Sequence, residues 1–346
     1  MRRIIRMILL VLVLSLPVSA LDITAPQVPE SGRALMPSSA ETFGEGLLEV
    51  IRDVLGYFHP ELKEAASVCM GVIAAAMVAS ILKSLPGSPM KTVELAGTVA
   101  VASMLLNASN SLISLGAETV HQISEYGKLL LPAMTAAMAA QGGVTSASAL
   151  YAGTAFFDSL LTSLVVKLLT PMIYVYLALS AAGSAIGGDM LKKLRDFMKW
   201  AYVWTLKIIL YVFTGYISIT GVVSGTTDAA TLKAAKLTIS GVVPVVGSIL
   251  SDASEAVLVS AGTVKNAVGV YGLLAIIAVW IGPFLKIGVH YLMLKLTAGV
   301  CGLFSGKPIT DLVGDFSSVM GFVLAMTGAV SLMFMISTVC FMKGVG

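Results

Sequence analysis

The sequence is poor in charge. Asp, Glu, Lys and Arg make up 12% of its 346 residues, whereas soluble domains carry roughly 25%. Hydrophobic residues make up 57%, and the mean hydropathy is +0.93. Long apolar runs recur along the chain, so we expect a polytopic membrane protein whose surface contacts the lipid bilayer. The net charge of +3 is too small to indicate nucleic-acid binding, and loop lysines that set membrane topology account for it.

The sequence also lacks the common catalytic and metal-binding motifs. Its three cysteines and three histidines are isolated, without CxxC, HExxH or other ligand spacing. The string at 302–307 approaches a Walker A loop, but it has three residues between its glycines instead of four, and Pro308 follows it. We therefore expect no catalytic residue, no cofactor and no metal site, and a protein that is not an enzyme.

Residues 1–20 have the pattern of a signal peptide. A basic start, MRRIIR, precedes a short apolar core, and small residues follow. The core is too short for a transmembrane helix, although an uncleaved signal anchor is the alternative. Residues 21–65 are then exported, with an amphipathic helix that Pro60 ends. That helix lies on the membrane surface, on a partner or on the protein's own helices.

Apolar periodicity predicts two transmembrane helices in residues 66–116. The loop that joins them contains lysines and no acid, so the positive-inside tendency places it in the cytoplasm. Two further membrane units follow at 128–225 and 237–343, separated by a polar loop. A basic stretch at 188–199 in the first unit is also predicted to face the cytoplasm, by the same tendency.

Prolines and glycines interrupt the apolar segments of both units. Residues 129–140 are too few to span a bilayer, which takes roughly 20 residues, so this piece is a half-helix or one arm of a re-entrant hairpin. The predicted fold is all-α, a polytopic helical membrane protein with Pro/Gly-broken or re-entrant helices. The predicted breaks lie at Pro132, Gly142, Gly143, Pro171, Pro244, Gly247 and Pro283.

The two units have the layout of an internal duplication. Pro132 and Pro171 are 39 residues apart, as are Pro244 and Pro283, and a charged linker ending in Asp-Phe follows each pair. Few aligned positions are identical, so coincidence is the alternative. In transporter folds, interrupted segments at matching positions of two repeats indicate the substrate site.

Three acids fall at membrane depth: Asp158, Asp252 and Glu255. Asp252 and Glu255 are three residues apart, so a helix places them on one face. Such acids could bind a cation, relay protons or line a hydrated path. The alternative explanations are a helix end at the interface, or pairing with Lys265 or Lys286. The three acids and the seven Pro/Gly positions are the candidate pathway residues.

Two long runs, at 129–153 and 242–269, are similar to the stage III sporulation protein AE family. The order of signal sequence, exported helix and spans also resembles that family. The resemblance implies a location in the mother-cell membrane around the forespore of endospore-forming bacteria. It implies a permease-like subunit of a channel or secretion complex, with partners from the stage III A operon that include a cytoplasmic ATPase and ring-forming membrane proteins. It implies no catalytic residues.

Three functions remain open from the sequence. The first is the permease-like subunit that the resemblance implies. The second is a stand-alone secondary transporter that couples to ions through Asp252 and Glu255. The third is a membrane scaffold protein of the same complex. The sequence does not give the transported substrate, the oligomeric state or the number of membrane crossings.

Overall fold

The computed structural model describes residues 25–37, 42–86, 89–242 and 247–343, without the side chains of 221–261. All the regular structure in these ranges is helical. The elements are α1 (Glu30–Arg33), α2 (Phe43–Ser84), α3 (Met90–Ala140), α4 (Val144–Leu164), α5 (Thr170–Ile186), α6 (Asp189–Val242), α7 (Gly247–Cys301) and α8 (Lys307–Lys343). One π-helical turn, Val165–Leu169, joins α4 to α5. The predicted signal peptide lies outside the described residues.

Six helical stretches in the described ranges are long and apolar enough to cross a membrane. They are Phe43–Ser84, Met90–Ala140, Val144–Ile186, Asp189–Thr220, Gly262–Cys301 and Lys307–Lys343. The prediction of an all-α, multi-pass membrane protein is confirmed. The helices are longer than expected: α3 has 51 residues, about 76 Å at the α-helical rise, whereas the hydrocarbon core of a bilayer is roughly 30 Å thick.

Three of the predicted interruptions are wrong. Pro60 lies inside α2, Pro132 inside α3 and Pro283 inside α7. Residues 129–140 are the last turns of α3 rather than a half-helix or a re-entrant arm, and the predicted polar loop between the two membrane units is helical at 225–236. A proline removes one backbone hydrogen bond and costs about 3 kcal/mol. Burial of the flanking turns of a packed helix offsets that cost.

Two of the marked positions do change the backbone. The chain turns at residues 141–143, where Gly142 adopts a φ of 90°, so the predicted break at Gly142 and Gly143 is confirmed. Before Pro171, a π-helical turn replaces the α-helical hydrogen-bond pattern between α4 and α5. The helical path continues through this turn. Pro244 lies outside the described residues, and at Gly247 only the backbone, the start of α7, is described. The duplication and the division into units stay predictions.

Short connections make consecutive helices antiparallel. The connections at 85–89, 187–188 and 302–306 meet at one end of the bundle, where Ser80 Oγ donates to the Phe304 carbonyl at 2.7 Å. Lys83 and Glu94 form an ion pair of 2.8 Å at the same end. We call it the basic end because five lysines and an arginine lie there: Lys83, Lys91, Lys192, Lys193, Arg195 and Lys307. The turn at 141–143 lies at the opposite end.

Helix α8 is the centre of the bundle. It packs against α3, α4, α5, α6 and α7. Between Pro308 and Met342, only Ala325 and Leu332 are exposed. Helix α2 packs on α3 and α7, and the short α1 packs on α7. In the described part of the chain, the surrounding helices therefore pack on α8.

Small residues let α3 approach α8 closely. A Cβ atom at Gly116 would overlap Val323, and one at Gly127 would overlap the Phe334 ring. Close contacts of this kind are typical of helix pairs in membranes, where van der Waals packing replaces the hydrophobic effect as the driving force.

We expect Gly127→Ala to destabilise the bundle. The added methyl group must displace the buried Phe334 ring, and overpacking of this size costs about 1–3 kcal/mol. Gly328→Ala is the matched control, since nothing lies within 4 Å of a Cβ at that helical position. Thermal unfolding of the purified protein in detergent measures both effects. Equal midpoints for the two variants would contradict the close α3–α8 contact.

Candidate functional site

One buried acid, Asp315, joins three helices near the basic end. Its Oδ2 lies 2.7 Å from Arg195 Nη1 on α6, and its Oδ1 accepts a hydrogen bond of 2.9 Å from the Tyr176 hydroxyl on α5. The side chains of Arg195 and Asp315 are 18% and 12% exposed. A carboxylate this buried is stable only with a paired charge and further hydrogen bonds, and Asp315 has both.

Aromatic rings cover the inner side of this ion pair. Phe322, two turns along α8 from Asp315, makes an edge contact with Tyr176 at 5.2 Å. The same ring stacks on Tyr202 of α6 at 4.7 Å, and the Tyr202 hydroxyl donates to the Phe322 carbonyl at 2.8 Å. The contact with Phe322 restricts the rotamer of Tyr176, which holds Asp315.

Arg195 also pairs with the exposed Asp196, at 2.9 Å between Nη2 and Oδ1. The guanidinium of Arg195 therefore connects Asp196 and Asp315, which are the acids of the two Asp-Phe sequences that end the charged linkers. Sequence reasoning missed Asp315 because SGKPITDLVGDF has the composition of a linker. A signal was present: the buried Ile309, Leu312, Val313 and Phe316 recur at helical spacing and place Asp315 on the inner face of α8.

Asp158, on α4, is the second buried acid in the described ranges and is 3% exposed. Ser124 Oγ on α3 donates to its Oδ2 at 3.0 Å, and Thr162 Oγ1, one turn further along, donates to its Oδ1 at 3.3 Å. The π-helical turn begins three residues after Thr162. Hydroxyl groups therefore hold this carboxylate, in contrast to the guanidinium that holds Asp315.

The other candidate pathway residues whose surroundings the structure describes lie apart from the hydrogen bonds of Asp158. Pro132 and Pro171 are exposed on the outside of the bundle, and Pro283 is half-buried beside a cavity that includes Glu61 and Lys286. Gly142 and Gly143 form the end turn. The side chains of Asp252 and Glu255 lie outside the described residues, so their proposed shared face stays a prediction.

Lys286, one suggested partner of Asp252 and Glu255, pairs elsewhere. Its Nζ lies 3.2 Å from Glu61 and 2.7 Å from Glu64, both on α2. The ion pairs therefore tie α2 to α7. Lys265, the other suggested partner, is buried at 4% exposure. Among the side chains that the structure describes, no three converge as metal ligands.

Comparison with known proteins identifies a family. Residues 36–344 match the family described as stage III sporulation protein AE. The stage III sporulation protein AE of Bacillus subtilis (strain 168) is 25% identical over 234 residues, which cover 68% of this chain and 59% of that relative. The chain thus spans about three-fifths of the length of the curated relative. No solved structure matches it.

We expect Arg195→Ala to destabilise the protein by about 3 kcal/mol, because it leaves the Asp315 carboxylate buried without its partner charge. Asp196→Ala is the control: this side chain is 65% exposed, so we expect a change within about 0.5 kcal/mol. Denaturant unfolding in detergent micelles measures both.

The double variant Arg195→Leu/Asp315→Leu removes both charges and should recover part of the loss. A double variant no more stable than Arg195→Ala would contradict a buried ion pair at this position.

Proposed function

The chain belongs to the stage III sporulation protein AE family, and we propose that it is the permease-like membrane subunit of the complex that joins mother cell and forespore during endospore formation. It is a multi-pass membrane protein of sporulation. The proposed location is the mother-cell membrane around the forespore. The proposed partners are the other stage III A operon proteins, including a cytoplasmic ATPase and ring-forming membrane proteins.

The observation that carries the proposal is the environment of Asp158. Its carboxylate is buried in an apolar bundle with the hydroxyl groups of Ser124 and Thr162 as hydrogen-bond donors. A charged side chain in a membrane segment costs at least about 2.5 kcal/mol and is usually retained where polar solutes or ions pass. The nearby π-helical turn supports the same reading, because such turns occur frequently at functional sites in helices.

A permease-like subunit of this kind depends on partners for energy. The sequence has no Walker A loop, and we propose that the protein is not an enzyme. Hydrolysis of ATP by a cytoplasmic partner would supply the driving force. The basic end is the natural place for that partner, since positive loops favour the cytoplasmic side.

A scaffold role is the second candidate, and the Asp315 network favours it. That acid is fully paired and ties α5, α6 and α8 together, as a purely structural charge would. A stand-alone transporter is the third candidate, for which Asp252 and Glu255 are the proposed coupling acids.

Substitution of Asp158 separates these roles. We expect Asp158→Asn and Asp158→Leu to block formation of heat-resistant spores while the protein still accumulates in the membrane. Asparagine keeps the shape and removes the charge, and leucine removes the cost of burying it. Asp196→Asn, which alters an exposed acid, should sporulate normally. Spore counts and immunoblots of membrane fractions are the measurements.

Each alternative predicts a different result. A scaffold tolerates both substitutions of Asp158, so normal spore counts in both variants would overturn the permease-like proposal. A stand-alone transporter moves solute without partners, and uptake by the purified protein in liposomes would favour it instead.

A further inference from the structure

A cavity of about 380 Å³ with charged residues in its lining opens at the basic end. The first turns of α3, α6 and α8 and the last turns of α5 form its wall. Its charged lining residues are Lys91, Glu94, Lys192, Arg195, Lys307 and Asp311. No step proposed above uses this cavity.

The charges that line it are not balanced. Arg195 is occupied by Asp315 and Asp196, and Glu94 is occupied by Lys83 at 2.8 Å. The other charged residues in the lining are Lys91, Lys192, Lys307 and Asp311. Within the ranges that the structure describes, none of these three lysines forms an ion pair, so three cations share the cavity with one acid.

Backbone groups add to the positive potential. Helices α3, α6 and α8 begin at Met90, Asp189 and Lys307, so three helix N-termini lie beside the cavity. The N-cap of α3 is Pro89, which makes no side-chain capping hydrogen bond. Helix N-termini carry a partial positive charge and bind anions, phosphate groups in particular.

Large exposed apolar side chains lie in or next to the wall of the cavity: Leu95 and Ile186 line it, and Met190 is in the first turn of α6. Leu95 is 43% exposed, Ile186 80% and Met190 81%. Lysines beside exposed apolar residues at a helix hairpin are typical of a segment at the lipid–water interface, where the ammonium groups reach the headgroups and the apolar groups contact acyl chains. The anion that fits this cavity is therefore one attached to an acyl chain.

We propose that the cavity binds the phosphate headgroup of an anionic phospholipid. Lys91, Lys192 and Lys307 contact the phosphate, while Leu95, Ile186 and Met190 contact the acyl chains. Basic pockets between transmembrane helices on the cytoplasmic side bind anionic headgroups by the same physics. This site is independent of the Asp158 site and of the permease-like role.

Native mass spectrometry of the full-length protein in detergent tests the site. We expect it to retain phosphatidylglycerol in preference to phosphatidylcholine. The triple variant Lys91→Gln/Lys192→Gln/Lys307→Gln should bind phosphatidylglycerol at least about tenfold more weakly, because each lysine near an anionic headgroup contributes to binding. Lys167→Gln/Lys207→Gln/Lys343→Gln removes the same charge from exposed positions away from the cavity and should bind like the wild type.

The remaining outcomes overturn the proposal. Equal phosphatidylglycerol binding by the two triple variants would show that the three cavity lysines do not contribute to lipid binding. If millimolar inorganic phosphate displaces the lipid, and phosphate and phosphatidylglycerol bind with equal affinity, the site is one for a soluble anion. Binding of an acidic protein that needs the three lysines, with no preference between lipids, would identify a protein-docking surface. Should the triple variant fail to fold, the exposed pair Lys91→Gln/Lys307→Gln replaces it.

Discussion

The enclosure of α8 by its neighbours is the constraint on which the other contacts depend. A helix surrounded by protein must satisfy each of its polar groups inside the bundle, since an unpaired polar group in a low-dielectric interior is costly. Ser317 donates to the Tyr291 carbonyl of α7 at 3.1 Å, and Ser337 shares a hydrogen bond of 2.8 Å with Thr154 of α4. Asp315 reaches α5 and α6. These bonds fix the register of α8 against four neighbours, α4, α5, α6 and α7.

The same constraint divides the buried acids into two kinds. Asp315 has a guanidinium and a phenol as partners, and the Phe322 ring packs against that phenol, so its charge serves the packing of the bundle. Asp158 has only neutral hydroxyl donors among its hydrogen bonds, and these bonds join only α3 and α4. The difference between them is the physical reason for placing function at Asp158 and structure at Asp315.

Composition and apolar periodicity were sufficient to predict the helical class, the multi-pass character and the turn at Gly142 and Gly143. The helix ends were harder to predict. A rule of about 20 residues per crossing suggested breaks at Pro132 and Pro283, but the helices extend well past a bilayer, and their burial outweighs one missing hydrogen bond. The role of Asp315 could not be predicted, because its partners, Tyr176 and Arg195, are more than a hundred residues away.

Disulfide cross-linking in native membranes tests the central position of α8 most directly. In a chain with its three native cysteines replaced by alanine, Thr154→Cys and Ser337→Cys should form an intramolecular disulfide under mild oxidation, since their hydroxyl oxygens lie 2.8 Å apart. Thr154→Cys with Leu332→Cys, which is exposed on the outer side of α8, should not cross-link. The absence of a disulfide in the first pair, or equal cross-linking of both pairs, would contradict the enclosure of α8.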